Sequence, residues 1–377
     1  MKKAIVSVTN DLSTDRRVHR SCIALQKLGF DVLLVGRKRK KSIPLDKRPY
    51  RMKRMRLLFE KGFLFYAEYN IRLFFFLLFR KVHLLLANDL DTLLPNYLIK
   101  KIKNSKLVYD SHEYFTGVPE LDGRPFVRKF WIRIEKWIFP KLADVITVND
   151  SIAQLYKDEY KKELVVVRNI PDLPEKIKSH SKQELGLDDA KHIIILQGSG
   201  INVERGAEEA VQAMQYVNDA ILYIIGDGDV LPLLKEMVKV KKLEGKVKFI
   251  PKKPLDMLFA YTRHADIGLT FDKDNNINYR FSLPNKLFDY IHAGVPVLAS
   301  PLVEIKKIIQ QYKIGEMIEN HLPEHIADKL NGMIVDKQRL AFFRENCNIA
   351  KAELNWKNEE NKLTDVFKKC LQTEERS

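Results

Sequence analysis

Residues Ser282–Ser300, SLPNKLFDYIHAGVPVLAS, are the stretch that decides the fold of this 377-residue chain. Pro284 favours the start of a short helix, because proline is tolerated in the first helical turn, and Gly294 favours its end. The apolar residues Val295–Ala299 that follow are typical of a buried strand. The stretch therefore predicts a helix and a strand that form one compact unit.

The same alternation of strand and helix continues on both sides of this unit. Helices are predicted notably over Asp15–Leu28 and Arg128–Lys141. The predicted strands are Ala4–Val8, Asp31–Val35, Leu84–Ala87, Leu107–Tyr109, Val145–Val148, Leu164–Val167, His192–Leu196, Ala220–Ile225, Val247–Ile250, Ile267–Thr270 and Val295–Ala299. Short β-branched runs between amphipathic segments predict an α/β protein built around parallel sheets.

A break in the middle of the chain divides this pattern. Asp172–Glu175 is interrupted by proline and Ser179–Lys182 is small and polar, which predicts an interdomain linker. We therefore expect two Rossmann-like domains in tandem, over residues 1–175 and 185–354. Because ligands of such folds bind beyond the carboxyl ends of the strands, we expect a ligand site in a central cleft between the domains.

Composition excludes several classes of protein. With 45% hydrophobic and 30% charged residues, the chain is neither collagen-like nor a coiled coil nor broadly disordered. Its cysteines, Cys22, Cys347 and Cys370, have no C-x-x-C spacing, so neither a disulfide framework nor a structural zinc site is expected. We find no signal-peptide pattern, and the longest apolar run, Leu73–Phe79, is too short to span a bilayer. These features predict a cytoplasmic protein.

The formal charge of +16 is concentrated in the first half. Residues 1–175 contain 35 Lys and Arg against 20 Asp and Glu, whereas residues 176–377 contain 30 against 29. The densest basic stretch, Arg37–Arg56, precedes the aromatic segment Leu57–Phe79. Residues 37–80 either contact an anionic membrane from the inner face, as a peripheral protein does, or form a solvated basic loop and a core helix. The basic residues are not interleaved with stacking aromatic residues in an RRM, OB or helix-turn-helix pattern, so no nucleic acid partner is expected.

Glycine-rich turns follow two predicted strands of the second half. Gly198 and Ser199 follow one strand, Arg205 precedes the next helix, and Gly226 follows another strand. Glycine lets backbone N–H groups approach a phosphate, and a helix N-terminus with an arginine favours a pyrophosphate. The alternative is that these glycines serve only tight turns and packing.

Asn285, Lys286 and Asp289 lie on nearly one face of the helix in the opening stretch, which indicates a polar site rather than solvated charges. The unit resembles the signature region of retaining GT-B glycosyltransferases of glycosyltransferase family 4, in which an acidic residue lies five before the glycine. Asp289 occupies that position, and the resemblance implies that it binds the nucleotide ribose. Phe281 stands where the family has a first glutamate, which reads the donor sugar. The P-N-K-L-F sequence resembles a variant within the family.

Other segments resemble the family in the same order, from about residue 4 to residue 310. The family's diphosphate-binding Arg and Lys correspond to Ser199 and Arg205. The helix around Trp356, about residues 355–377, resembles the helix that packs back on the first domain. Residues of the first half that correspond to family loops facing the cleft or the acceptor are Asn10, Asp11, Arg17, Asp89, Asp110, His112 and Glu113. The alternatives are that His112 is an ordinary core or surface histidine and that Asp110 and Glu113 only cap a helix.

The resemblance implies transfer of a sugar, hexosyl or N-acetylhexosaminyl, from a nucleotide-diphosphate donor to a glycan or lipid-linked acceptor with retention. It places the enzyme in surface polysaccharide or lipopolysaccharide synthesis. Arg205 and Lys286 would stabilise the leaving diphosphate, with His112 as a further catalytic candidate. The donor site would include Gly198, Ser199, Gly226, Asn285 and Asp289. No metal or other cofactor is expected, so Asp272 and Asp274 are interpreted as loop charges.

Two other functions stay open from the sequence. One is a GT-B-fold sugar-nucleotide epimerase, which binds the same donor without a second substrate. The other is a non-catalytic homologue that binds an anionic ligand, which the presence of Ser199 and Phe281 at family positions motivates.

Overall fold

The computed structural model describes residues 1–13, 15–121, 123–172 and 178–372. The chain divides into two compact units, Met1–Asn169 with Lys357–Ser377, and Ile170–Trp356. Leu173–Glu175 of the predicted linker and residues 373–377 of the predicted terminal helix lie outside the described residues.

The first unit alternates strands and helices. Its strands are β1 (Lys3–Ser7), β2 (Asp31–Lys38), β3 (Arg51–Arg56), β4 (Leu84–Asn88), β5 (Lys106–Ser111), β6 (Asp144–Thr147) and β7 (Val165–Val166). Its helices up to this point are α1 (Arg16–Lys27), α2 (Gly62–Leu78), α3 (Leu90–Lys103), α4 (Pro125–Ile138) and α5 (Asp150–Tyr160), with short 3₁₀ turns at Phe115–Gly117, Pro119–Leu121 and Phe139–Lys141.

The second unit repeats the alternation, and the final helix returns to the first unit. Its strands are β8 (His192–Gly198), β9 (Ala220–Gly226), β10 (Val247–Pro251), β11 (Ile267–Thr270), β12 (Val297–Ala299) and β13 (Gly315–Met317). The helices are α6 (Lys182–Leu185), α7 (Ala207–Ala213), α8 (Leu231–Val240), α9 (Leu255–Thr262), α10 (Ile277–Arg280), α11 (Asn285–Ala293), α12 (Val303–Tyr312), α13 (Pro323–Val335), α14 (Lys337–Glu353) and, in the first unit, α15 (Trp356–Gln372).

Each unit is organised around one parallel sheet. Within the described residues the strand orders are β3-β2-β1-β4-β5-β6-β7 and β10-β9-β8-β11-β12-β13, and every recorded strand pair is parallel. The central strands are buried apolar runs, as expected of strands covered by helices on both faces. In each sheet the chain reverses its direction of winding beside the first strand, between β1 and β4 and between β8 and β11. Both units are therefore Rossmann-like α/β domains, as the sequence predicts, with their switch points at these strand pairs.

Three details of the strand prediction are corrected by the structure. Arg51–Arg56, part of the predicted basic loop, is the edge strand β3, and Gly315–Met317 is the short strand β13. Strand β12 begins at Val297 rather than at Val295. Charged residues are tolerated on β3 because an edge strand is paired on one side only, and they keep that edge from pairing with other chains.

Helix α2 has one buried apolar stripe and further apolar residues that are exposed, and the membrane contact of segment 37–80 stays a prediction. Phe65, Tyr69, Leu73 and Leu77 recur every four residues and are buried, so one stripe of the helix belongs to the core. The opposite side exposes other large apolar side chains, namely Phe63, Leu64, Ile71 and Phe75. Within the part of the chain that the structure describes, no helix is long and apolar enough to cross a membrane.

Candidate functional site

In the second unit, the turns after β8 and β9 approach each other closely. Gly198 and Gly226 have φ values of 152° and 147°, which residues with a side chain rarely adopt. A Cβ atom on Gly226 would lie 1.7 Å from the carbonyl oxygen of Gly198. Nothing but a backbone nitrogen at 3.9 Å lies near the corresponding position on Gly198. Packing thus accounts for glycine at 226, whereas the backbone at 198 stays open to a neighbouring group.

Two cations meet one buried carboxylate at the carboxyl end of β11. Nη1 of Arg205 lies 3.2 Å from Oδ1 of Asp272, and Nζ of Lys286 lies 3.6 Å from Oδ2. The Thr270 hydroxyl donates a hydrogen bond to Oδ2 at 3.3 Å. Asp272 is fully buried and Lys286 is 9% exposed, while the guanidinium of Arg205 lies 4.8 Å from the centre of the Tyr279 ring. The structure therefore brings together the two residues that the sequence proposes for the diphosphate.

The prediction that Asp272 is a loop charge is wrong. Asp274, the other acidic residue of that loop, is half exposed and pairs with the exposed Arg280, as a loop charge does. Asp272 instead occupies the interior because two cations compensate its charge there, which a buried carboxylate requires. The sequence signal was the position of Asp272, two residues beyond a predicted strand that lies next to β8.

The other predicted donor residues also lie near the carboxyl ends of these strands, but their contacts differ from those of Arg205 and Lys286. Oδ2 of Asp289 accepts a hydrogen bond of 3.0 Å from Gln197, the buried residue before Gly198. Asn285 is exposed at the first position of α11, and Ser199 is exposed in the turn after β8. Asp289 thus connects to the glycine turn, whereas Lys286 on the same helix points to Asp272. The roles of these residues stay predictions.

The first unit has a network of charged residues at the switch point of its sheet. Arg17 donates two hydrogen bonds to the buried Asp110, at 3.0 and 2.6 Å, and a third to the carbonyl oxygen of Val167 at 2.7 Å. Nδ2 of Asn88 donates to the carbonyl oxygen of Ser7 and so connects the ends of β4 and β1. Asp110 is part of strand β5, so it does not cap a helix, and its pairing with Arg17 fixes the end of the strand.

His112 lies directly after β5 and is surrounded by acceptors. Its Nδ1 lies 3.3 Å from Oδ2 of Asp89, and its Nε2 lies 3.2 Å from Oδ1 of Asn88 and 3.5 Å from Oδ2 of Asp110. Its backbone N–H donates to Oδ1 of Asp89 at 2.8 Å. Asp89 itself has a φ of 60°, a strained value for a residue with a side chain. The imidazole is therefore held in one orientation by three side chains.

Electrostatics in this network favour a protonated His112. Burial lowers the pKa of His112, but Asp89 and Asp110 outweigh it and raise the pKa to about 9. Burial raises the pKa of Asp110, but Arg17 and then His112 hold the pKa well below its usual range. At neutral pH both ring nitrogens of His112 are hydrogen-bond donors, so this side chain is suited to stabilise negative charge rather than to accept a proton.

We expect the stability contributed by His112 to depend on pH. Because the pKa of about 9 in the folded protein exceeds the ordinary histidine value of 6.5, the contribution is fully present below about pH 6.5 and is lost as pH rises through about 9. Urea denaturation of the wild type and of His112→Gln between these pH values should show their difference shrinking as pH rises. A difference that stays constant over this range would contradict the raised pKa.

The remaining predicted residues of the first unit differ in their environment. Asp11 forms an ion pair of 2.9 Å with Arg54 of β3, and it accepts a hydrogen bond from Ser42. Asn10 donates to the side chain of Asp15, which caps α1. Glu113 is exposed after His112. Asn10 and Asp11 thus support the loops around β1 and β2, and their role toward an acceptor stays a prediction.

Sequence reasoning did not select Asp91, which the structure places in the same network. Asp91 is 6% exposed, its Oδ2 accepts a hydrogen bond from Thr9, and its Oδ1 is buried without a partner among the described residues. Burial and the neighbouring Asp89 raise the pKa of Asp91 to about 8. The D-x-D spacing of Asp89 and Asp91 after a predicted strand was the available signal. In the described part of the chain, no group of three or more His, Cys, Asp or Glu side chains is placed to hold a metal ion.

Family models and solved structures of other proteins are similar to this chain over both of its units. Residues 14–173 match the family model described as Glycosyltransferase Family 4, and residues 177–348 match the one described as Glycosyl transferases group 1. No curated protein matches the chain in sequence. Sucrose-phosphate synthase from Thermosynechococcus elongatus has a similar structure, with a TM-score of 0.80 and 14% identity over 99% of this chain and 100% of that chain.

Two further solved structures share the fold. HepE of Anabaena in complex with UDP-glucose has a TM-score of 0.74 and 14% identity, over 98% of this chain and 100% of that one. WaaG, a glycosyltransferase involved in lipopolysaccharide biosynthesis, has a TM-score of 0.74 and 13% identity, over 96% of this chain and 99% of that one. Each half of the chain matches a glycosyltransferase family model, and the chain as a whole shares its fold with these neighbours, so it is a glycosyltransferase of the GT-B type.

Proposed function

We propose that the protein transfers a hexosyl or N-acetylhexosaminyl group from a nucleotide-diphosphate sugar to a hydroxyl group of a glycan or lipid-linked acceptor, with retention of configuration. The observation that carries the proposal is the pair of cations, Arg205 and Lys286, at the carboxyl edge of the second sheet. Two similar structures support the substrate class, since one contains UDP-glucose and one is of an enzyme of lipopolysaccharide biosynthesis. Synthesis of a surface polysaccharide or lipopolysaccharide is the proposed setting.

The second unit would bind the donor and stabilise the leaving group. As the glycosidic bond breaks, negative charge develops on the diphosphate, and preorganised cations lower the energy of that state. Lys286 lies in the first turn of α11, where the partial positive charge of the helix N-terminus adds to its own. Asp289, which accepts a hydrogen bond from Gln197 beside the glycine turn, would accept hydrogen bonds from ribose hydroxyl groups.

The first unit would bind the acceptor. The residues at its switch point bear on which group can take the proton of the acceptor hydroxyl. Since His112 is protonated at neutral pH, it is a hydrogen-bond donor and not the base that activates the acceptor hydroxyl. We propose that a phosphate oxygen of the leaving group takes that proton on the same face of the sugar, which needs neither a carboxylate nucleophile nor a metal ion. Asp89 and Asp110 would orient His112.

A donor screen tests this function. We expect one of the UDP-, GDP-, ADP- or dTDP-sugars to raise the melting temperature and to be hydrolysed slowly, equally with and without EDTA. Arg205→Ala should lose both effects, because an arginine at a diphosphate is a bidentate, charge-assisted donor. Arg263→Ala is the matched control. Arg263 is exposed at the end of α9, just before the amino end of β11, whereas Arg205 lies at the carboxyl ends of the strands. Proton NMR of the transfer product then reports whether the anomeric configuration is retained.

Three other results would contradict the proposed function or its mechanism. Absence of any shift or hydrolysis would favour a non-catalytic homologue. Conversion of the donor into an isomer without an acceptor would identify an epimerase. Loss of activity with EDTA, restored by a divalent cation, would contradict the metal-independent mechanism.

We also propose that residues 37–80 contact an anionic membrane surface. Arg56, Lys61 and Arg80 are exposed and close in sequence to exposed apolar side chains such as Phe63 and Phe79, the composition of an interfacial segment. The adjoining helix α4 adds exposed aromatic residues, and the rings of Phe130 and Phe63 lie 5.6 Å apart. This surface would bring the enzyme to a lipid-linked acceptor.

Vesicle co-sedimentation tests the membrane proposal. We expect the protein to sediment with vesicles that contain phosphatidylglycerol and not with pure phosphatidylcholine, and added salt should weaken the binding. Phe63→Ser with Phe79→Ser should reduce binding severalfold, whereas Ile349→Ser, an exposed apolar residue of the second unit, should not. Binding that is indifferent to the anionic lipid would contradict the proposal.

A further inference from the structure

Asp272 has no role in the proposed reaction, although it lies between the two cations that are proposed to bind the diphosphate. Its carboxylate is fully buried and contacts both proposed diphosphate-binding cations, at 3.2 Å from Arg205 and 3.6 Å from Lys286. Thr270 donates a further hydrogen bond to it, which fixes its position. Within the described residues, this carboxylate neutralises one of the two positive charges that a diphosphate would meet.

We propose that Asp272 is a built-in counter-ion that competes with a bound diphosphate for Arg205 and Lys286, and so limits the affinity of the nucleoside diphosphate product. This inference rests on the proposed function, because it assumes that these two cations bind the diphosphate. When a diphosphate binds, its negative charges lie close to a buried carboxylate that cannot leave. Repulsion between like charges is strong in a site shielded from water, so part of the attraction by the two cations is cancelled.

The geometry lets the cations bind both partners. Nη1 of Arg205 contacts Asp272, whereas Nε is buried without a hydrogen-bond partner among the described residues. The side chain of Arg205 is 30% exposed and its guanidinium lies 4.8 Å from the centre of the Tyr279 ring, so N–H groups other than Nε remain to meet a phosphate oxygen. Lys286 is nearly buried and held by α11, so it stays beside Asp272. A diphosphate would therefore share the cations with Asp272 rather than draw them away.

Four proteins form a charge series that tests the counter-ion: the wild type, Asp272→Asn, Arg205→Gln and the double variant. Calorimetric titration with inorganic diphosphate is expected to show that Asp272→Asn binds about tenfold more tightly than the wild type. Arg205→Gln should bind more weakly than the wild type, and the double variant more tightly than Arg205→Gln. Asp274→Asn, which removes the half-exposed carboxylate that pairs with Arg280 in the same loop, is the control and should stay within about twofold of the wild type.

Equal or weaker binding of diphosphate to Asp272→Asn would overturn the inference. If that variant does not fold, the comparison of Arg205→Gln with the double variant decides, since equal affinities there contradict a competing carboxylate. In steady-state kinetics, Asp272→Asn should lower KM for the donor and kcat together and strengthen inhibition by the nucleoside diphosphate. A purely structural role of Asp272 would instead raise KM or leave inhibition unchanged.

Failure of this inference and failure of the proposed function give different results. Donor hydrolysis by the wild type without tighter diphosphate binding by Asp272→Asn would overturn the counter-ion and leave the transferase intact. Tighter binding by the variant without any donor hydrolysis by the wild type would support the counter-ion at a diphosphate site and overturn the proposed catalysis.

Discussion

Replacing Lys286 with methionine is expected to lower kcat/KM for sugar transfer by about 100-fold or more, since removing one preorganised group that stabilises a leaving anion has an effect of this size. Methionine fills a similar volume, so the packing of α11 is retained while the charge is lost. Asp272 keeps Arg205 as a partner in this variant, at 3.2 Å. Transfer from the donor identified in the screen, measured under kcat/KM conditions, checks the prediction.

Lys248→Met is the control for this variant. Lys248 is an exposed residue of the edge strand β10 in the same unit, and its replacement should leave transfer unchanged. Thermal unfolding of both variants separates loss of chemistry from loss of folded protein. A folded Lys286→Met protein with nearly wild-type activity would contradict the assignment of Lys286 to the leaving group.

Replacing Arg17 with methionine is expected to lower the free energy of unfolding by about 3 kcal/mol, because Asp110 is left buried without its main partner. Arg17 and Asp110 are 6% and 1% exposed and share two hydrogen bonds. Arg17→Met with Asp110→Asn should lose less, since no buried charge remains. Urea denaturation at neutral pH measures the difference.

The pH dependence of this loss has a defined sign. The pKa of Asp110 is lowered in the folded protein, so its stabilising pairing is fully present above the unfolded pKa of about 3.9 and fades as pH falls toward the folded value. The difference between wild type and Arg17→Met should therefore be constant near neutral pH and shrink below about pH 4.

The exposed pair of Arg51 and Asp31 gives a matched control. These side chains lie 2.6 Å apart but are 60% and 30% exposed, so Arg51→Met should cost less than about 1 kcal/mol. Equal losses in Arg17→Met and Arg51→Met would contradict the view that burial makes the Arg17 pair important.

The sequence predicted the central strands well because they carry their own signal. Strands β4, β8 and β9 are buried apolar runs, which few other elements resemble. Edge strands β3 and β13 lack such an apolar run. Strand β3 has the sequence RMKRMR, and only its pairing with β2 makes it a strand. Register with a neighbour is a property of the fold and leaves little trace in a short charged segment.

The candidate site was predictable only where local chemistry sufficed. Gly198, Arg205 and Lys286 belong to turns and helix starts that have a local pattern. The position of Asp272 just beyond a predicted strand indicated the sheet edge, but its burial was not predictable, because it depends on Arg205, which is 67 residues away in the chain. Likewise, Asp91 owes its environment to Thr9, which is 82 residues away. Such long-range pairs decide which of many charged loop residues become part of a site.

The most direct test of the proposed donor site is calorimetric titration of the wild-type protein with UDP, GDP, ADP and dTDP in the presence of EDTA. We expect one of these nucleotides to bind, and we expect Arg205→Ala to weaken the binding by about tenfold or more while Arg263→Ala retains it. Binding of none of the four, or equal binding to Arg205→Ala and the wild type, would contradict a nucleotide-diphosphate site at the carboxyl edge of the second sheet.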